Sequence, residues 1–541
     1  MKALSALAAL ALSAPAAAAV QSPKLIVAVA VDQFSTDLFN EYRAHFTGGL
    51  KRLQQGVVFA NGYQSHAATE TCPGHATILT GGRPARTGII ANNWVDYSAP
   101  REDKVVYCAE DESVRGSTHD KYTQSVVHLK IPTLGDRMKA ANKASRVVAV
   151  AGKDRAAIMM GGKSTDQLWF WNAGKFDTLT GRPKNASADR INNAIAATLA
   201  TGLPTPALPD LCRGRVAPVP VSTAKSIGNP LAALAPNTPK DMRIRPELDR
   251  ATADLAIALT DELKLGRGKA ADLLAVSFSV ADYVGHAFGT EGPEMCTQLV
   301  ALDETLDVFL THLDGIGVPY AVVLTADHGG HDAAERNQMR GIPDDQRFAE
   351  DSGLKALNAA IGHADKPVFR TDGDFSGPVS GDLYLDPTIT GEARTTLLAQ
   401  ARAWLTQRPS FAAVFTRDEL LATPPSKLPP DAWTLAERAA ASVDRQRSGD
   451  LIVLLRPRLS PIMNPGGGSV ATHGSPWDYD RRVPILFWSQ GMTGFEQPNS
   501  IETVDIMPTL AALIGLPVPA GEIDGQCRDL DAGQASTCPT P

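Results

Sequence analysis

Three carboxylates and three imidazoles, Asp32, Asp282, Asp327, His286, His328 and His473, stand at the ends of apolar runs or inside glycine-rich loops. Asp327 and His328 are adjacent, with Gly329 and Gly330 following directly. Mixed Asp and His donors suit zinc better than calcium or magnesium, which prefer oxygen-only shells. Two such ions about 4 Å apart clamp the attacking and leaving oxygens of an in-line phosphoryl displacement. The constellation reads as a two-metal hydrolytic site with a threonine nucleophile.

Each signal is weak alone. An Asp after a strand commonly caps a helix or forms a turn. Asp282 and His286 lie four apart, where a helical turn brings both to one side. His473 sits in the loop Asn464-Pro465-Gly466-Gly467-Gly468-Ser469-Val470-Ala471-Thr472-His473, too glycine-rich for a packed element but suited to presenting one side chain. The argument rests on their joint occurrence.

The elements that must position these residues are visible as short apolar runs at 25–31, 147–151, 273–278, 320–325, 451–455 and 483–488. Near-continuous Val, Ile, Leu and Ala is the signature of strands buried on both faces of a parallel sheet. Helical patterns at 253–265, 294–313, 392–405 and 507–514 alternate with them, which predicts an α/β sandwich. Asp32, Lys153, Asp282 and Asp327 follow four of these runs, and ligands of open α/β sheets bind outside the carboxyl ends of strands. The stretches at about 203–239 and 331–450 fit the pattern less well and are expected to be insertions or caps on a single catalytic domain spanning 20–541.

The segment Thr69-Glu70-Thr71-Cys72-Pro73-Gly74-His75 carries the strongest local motif. Thr-x-Pro-x-His, followed by Asp-x-x-x-His, Asp-His-Gly and a final Thr-His-Gly, resembles the alkaline phosphatase superfamily. The likeness is greatest to its threonine-nucleophile branch, the PafA-like alkaline phosphatases and the nucleotide pyrophosphatase/phosphodiesterases. It spans Asp32 to His473, and Asp505-Ile506-Met507-Pro508-Thr509-Leu510 is typical of the superfamily's last helix. The resemblance implies an alkaline-phosphatase-like α/β/α sandwich with a largely parallel sheet. It implies two zinc ions per chain: one held by Thr71, Asp32, Asp327 and His328, the other by Asp282, His286 and His473, with His75 a structural neighbour.

Gly152-Lys153-Asp154-Arg155 looks like the Lys-x-Arg of the PafA-like enzymes, and Asn92 falls where their phosphate-binding asparagine is expected, with Asn93 one residue away. In that assignment the two zinc ions balance three carboxylates and a threonine alkoxide. Lys153 and Arg155 then match a phosphate dianion. The implied activity is hydrolysis of phosphate monoesters through a phosphothreonine. A diesterase shares every metal ligand and is opposed by Lys153 and Arg155; a non-catalytic phosphate- or metal-binding protein would keep the ligands and lose the nucleophile, yet Thr71 is present. Sulfatases use a modified Cys or Ser in Cys-x-Pro-x-Arg, and here Cys72 is followed directly by Pro73. No Gly-x-Ser-x-Gly occurs, which disfavours a serine hydrolase.

Residues 1–19 have the charge, apolar stretch and small-residue exit of a secretory signal peptide, with cleavage expected after Ala19 and a periplasmic destination. No later run approaches the roughly 20 apolar residues of a membrane span. The net charge of −7 argues against nucleic acid as a stable partner. A monomer acting on small phosphate monoesters is expected. Six cysteines in an exported chain permit disulfides, and Cys527 with Cys538 is the favoured pair.

Overall fold

The computed structural model describes residues 22–373 and 377–539, so the signal segment lies outside the described residues. The main sheet has ten strands: β1 (Leu25–Val31), β2 (Val57–Tyr63), β3 (Val147–Ala151), β4 (Gln167–Asn172), β5 (Lys175–Asp177), β6 (Asp272–Phe278), β7 (Tyr320–Thr325), β8 (Arg482–Ser489), β9 (Phe495–Gln497) and β10 (Ile501–Glu502). Across the sheet they run β9-β2-β8-β7-β1-β6-β3-β4-β5, with β10 also paired to β2. Strands β7, β1, β6, β3 and β4 are mutually parallel. Strand β8 runs against both neighbours and β5 against β4. The fold is therefore a largely parallel α/β sandwich, with the 483–488 run an antiparallel member of the sheet.

Every residue of β1 is buried. Its alternate side chains enter different cores: Leu25, Val27, Val29 and Val31 meet helices Pro246–Leu263 and Pro293–Ile316, whereas Ile26, Ala28 and Ala30 face the side of helices Thr71–Thr80 and Asp154–Gly161. Register then fixes the site. Ala30 pairs with both Ser277 and Thr325, and Ser277 pairs with Ala151, so four strand ends lie in one row. The residues just beyond that row are Asp32, Asp327 and Lys153, with Asp282 one helical turn past β6.

The 451–455 run has a different home from the one its composition suggests. Leu451–Leu455 is a central strand of a separate antiparallel sheet, ordered Phe369–Arg370, Gly381–Leu385, Leu451–Leu455, Phe411–Thr416. It is buried on both faces: Leu451 and Val453 enter one small core, Ile452 and Leu454 another that includes Ala67. Two-sided burial produces the same continuous apolar run whether the sheet is parallel or not. The 203–239 stretch carries the pair Val219–Pro220 and Ser226–Ile227 and is tied to helix Pro293–Ile316 by Cys212–Cys296. Cys527 bonds Cys538 as favoured, and Cys72 bonds Cys108.

Helix Thr71–Thr80 approaches the end of β7 so closely that a Cβ on Gly74 would lie 2.0 Å from the Asp327 carbonyl oxygen. The Gln64 amide spans the junction, donating to Ala326 O at 3.1 Å and Gly74 O at 3.4 Å. Gly74→Ala must force the helix off the strand end, and overpacking of this kind costs about 1–3 kcal/mol. Denaturant unfolding should show that loss; an unchanged midpoint would mean the junction is looser than drawn.

Candidate active site

Asp32 continues the β1 ladder, its N–H donating to Phe278 O at 2.9 Å. Gln33 then turns the chain with a left-handed φ of 63° and donates its N–H to Asp327 Oδ1 at 3.1 Å. The Gln33 amide fills space that two glycines leave: a Cβ on Gly285 would sit 1.7 Å from Gln33 Oε1, and one on Gly330 2.4 Å from Nε2. Close approach, rather than a sharp turn, is thus what Gly330 permits after Asp327-His328.

Asp282 and His286 lie on helix Val280–Phe288, as their spacing predicts, with His286 Nε2 3.5 Å from Asp282 Oδ1. The glycine-rich loop delivers His473 Nε2 to 3.3 Å from the same oxygen. His328 Nε2 lies 3.2 Å from Asp327 Oδ2 and 3.9 Å from Asp282 Oδ1, and its ring stacks on His473 with centroids 3.5 Å apart. Two donor groups emerge, each with ligand atoms within 4.8 Å of one another: Asp282, His328 and His473, and Asp32, His75 and Asp327. His328 therefore sits between the halves to which the sequence assigns the ligands.

The remaining ring nitrogens point at main-chain carbonyls: His286 Nδ1 at Ala471 O, His328 Nδ1 at Gly329 O and His473 Nδ1 at Thr69 O, all at 2.8–2.9 Å. Such contacts fix the ring and leave Nε2 for a metal. His75 differs, because Nδ1 meets Thr71 O and Nε2 meets Ser277 Oγ, both at 2.9 Å. It also lies 3.2 Å from Asp32 and from Asp327, a neighbour that braces two carboxylates.

Several buried polar atoms here have no hydrogen-bond partner among the described residues: Thr71 Oγ1, Asp282 Oδ1, Asp327 Oδ2 and His328 Nε2. Orphaned buried donors and acceptors are costly unless another group completes them, and oxygen and imidazole nitrogen at this spacing fit a divalent cation. Burial, and after it the neighbouring His328, push His473 down to about 4, so its imidazole is neutral as ligation requires. Asp282 and Asp327 stay well below the usual carboxylate range; burial works against the charge, but Lys153 and His286 outweigh it at Asp282, His328 and His75 at Asp327.

Lys153 is 2% exposed and ion-paired to Asp282 and to Asp32, the latter at 2.8 Å. Burial disfavours its charge, yet Asp282 and Asp32 raise its pKa above the ordinary lysine value. Arg155, in the first turn of helix Asp154–Gly161, keeps a buried Nε without a partner among the described residues. Asn92 Oδ1 accepts from Cys72 N–H at 2.9 Å, beside Thr71, and its amide nitrogen makes no hydrogen bond among the described residues. Asn93 instead opens the strand Asn93–Val95.

Sequence reasoning missed Ser277, which donates to Asp32 Oδ1 at 2.8 Å, and Asp249, which accepts from Ser279 and Val280 N–H at 3.0 and 3.2 Å. Asp249 thereby seats the start of the helix that bears Asp282. Neither stands in a motif; the one available signal was the Ser277 position at the end of an apolar run.

Residues 26–476 match the family described as type I phosphodiesterase / nucleotide pyrophosphatase. Alkaline phosphatase PhoK of a Sphingomonas species is 52% identical, covering 95% of this chain and 92% of that protein. Alkaline phosphatase PhoD of Zymomonas mobilis is 49% identical, covering 95% and 89%. The crystal structure of wild-type alkaline phosphatase PafA superposes with a TM-score of 0.79 at 25% identity, covering 94% of this chain and 99% of that one.

A divalent metal bound here stabilises the native state by mass action, about 2.7 kcal/mol at a hundred times Kd. Stripping with a chelator should lower Tm, and adding zinc back should restore it. A Tm indifferent to both treatments would show that the basin holds no metal.

Proposed function

The chain belongs to the type I phosphodiesterase / nucleotide pyrophosphatase family, and from that premise we propose that it is an exported, zinc-dependent alkaline phosphatase working through a phosphothreonine. It is a phosphoric monoester hydrolase of the alkaline phosphatase superfamily, as its relatives named alkaline phosphatases support. The observation that carries the finer reading is the company of Thr71: a buried, unpartnered hydroxyl at a helix N-terminus, with Lys153 stationed between Asp32 and Asp282.

Two zinc ions, one on Thr71, Asp32, Asp327 and His328 and one on Asp282, His286 and His473, would supply the Lewis acidity that acidifies the Thr71 hydroxyl and stabilises charge on the leaving oxygen. Thr71 Oγ1 attacks phosphorus, its proton passing to solvent, and the bond to the ester oxygen breaks, the departing oxygen taking up a proton from water as the alcohol leaves. Water then attacks the phosphothreonine, freeing inorganic phosphate and restoring Thr71. Lys153, Arg155 and the free amide of Asn92 hold the nonbridging oxygens and their growing charge. The N-terminal end of helix Thr71–Thr80 adds a favourable dipole beside the anion.

Monoester preference follows from charge. The buried Lys153 and the half-buried Arg155 match a dianion and over-match the single charge of a diester, which is the second reading that the family description keeps open. Among the described residues no helix is long and apolar enough to cross a membrane. Export rests on the apolar leader at residues 1–19.

Thr71→Val should abolish turnover of p-nitrophenyl phosphate while leaving Tm near the parent value; activity surviving in purified variant would remove Thr71 as nucleophile. Lys153→Ala/Arg155→Ala should cut monoester kcat/KM by at least about 100-fold and diester kcat/KM far less, at about 1.4 kcal/mol per factor of ten. Equal losses on bis-p-nitrophenyl phosphate and the monoester would overturn the charge-matching account.

A further inference from the structure

Asn92 is held at three of its four polar groups, and each holder belongs to the nucleophile segment or is disulfide-bonded to it. Its N–H donates to Glu70 Oε2 at 2.7 Å, its side-chain oxygen accepts from Cys72 N–H at 2.9 Å, and its carbonyl accepts from Cys108 N–H at 2.9 Å. Cys72 and Cys108 are joined by a disulfide. The one group left over is the amide nitrogen, a donor of the kind a phosphate oxygen needs.

Glu70 is the residue in this clamp whose chemistry the mechanism has not used. It directly precedes Thr71, at the N-cap position of helix Thr71–Thr80, where a carboxylate ordinarily bonds the helix's own N–H groups. Here no side-chain cap is made, and the carboxylate reaches across to the main chain of residue 92 instead. The helix start and Asn92 are thereby linked twice, once through Glu70 and once through Cys72. A shift of Asn92 relative to Thr71 must break both bonds.

We propose that Glu70 is a positioning residue that sets the Asn92 amide at a fixed offset from the Thr71 hydroxyl, acting as a hydrogen-bond acceptor and not as a proton donor or acceptor to substrate. This rests on the reading of Asn92 as a phosphate-binding group. Glu70 touches no reacting atom in this role; its effect passes entirely through Asn92. An energetic coupling confined to the pair is therefore its signature.

The test is a double-mutant cycle in the full-length, zinc-loaded enzyme, read as kcat/KM for p-nitrophenyl phosphate and as Kd for inorganic phosphate. Asn92→Ala alone should lower kcat/KM by roughly 10- to 100-fold, the scale of one hydrogen bond to a charged group. Glu70→Ala alone should lower it by a comparable factor, and adding Glu70→Ala to Asn92→Ala should change it by less than about two-fold. Glu70→Gln, which keeps an acceptor without the charge, should recover to within about three-fold of the parent. Zinc content and Tm are measured for every variant, and Glu70→Leu, of similar size and without an acceptor, replaces Glu70→Ala in the cycle if that variant does not fold. Additive losses, or a Glu70→Gln as damaged as Glu70→Ala, overturn the proposal while leaving Asn92 in place. An Asn92→Ala enzyme equal to the parent would instead remove Asn92 from the phosphate site, and the proposal with it.

Discussion

Three carboxylates share one basin and are almost wholly buried: Asp32, Asp282 and Asp327 are each no more than 2% exposed. Like charges at this range in a low dielectric cannot all remain ionised without compensation. The surrounding groups answer that requirement. Lys153 bridges Asp32 and Asp282, His75 lies between Asp32 and Asp327, and His286, His328 and His473 gather around Asp282. Each supporting contact depends on the strand ends being level, so the register of β1 with β6 and β7 governs electrostatics as much as shape.

That level row could be read in part from the amino acids. Continuous apolar runs ending in Asp, Lys or Asp-His announce strands whose carboxyl ends face one crevice, and Asp32, Lys153 and Asp327 stand there. The four-residue spacing of Asp282 and His286 also translated directly into one helix face. Other features left no trace in local pattern. Ser277, Asp249 and Glu70 make their contacts with partners twenty or more residues away in the chain, and Ser, Asp and Glu at such places look like ordinary caps or turns. Residues 451–455 misled because burial on two faces says nothing about which sheet does the burying.

Compactness around Thr71 is secured by what is missing. Gly74, Gly285 and Gly330 occur where a methyl group would collide with Asp327 or Gln33, and all three stand inside the motifs that carry the chemistry. Gln33 is the common neighbour of two of them and sits in a left-handed conformation uncommon for a residue with a side chain. The motif glycines thus belong to packing as much as to backbone freedom, which explains why they flank Asp327-His328 and fall between Asp282 and His286.

Strand β2 immediately precedes the segment bearing Thr71, yet among the described residues its only sheet partners are β8, β9 and β10, all from residues 482–502. It cannot join the sheet through anything made earlier. A chain produced from its N-terminus therefore carries Thr71 for more than four hundred residues of synthesis before the strand leading to it has a place to dock. Pairing across such a separation is slow and entropically demanding. For this part of the sheet the order of assembly thus runs opposite to the order of the sequence: the strand that leads into Thr71 docks only once residues 482–502 are in place.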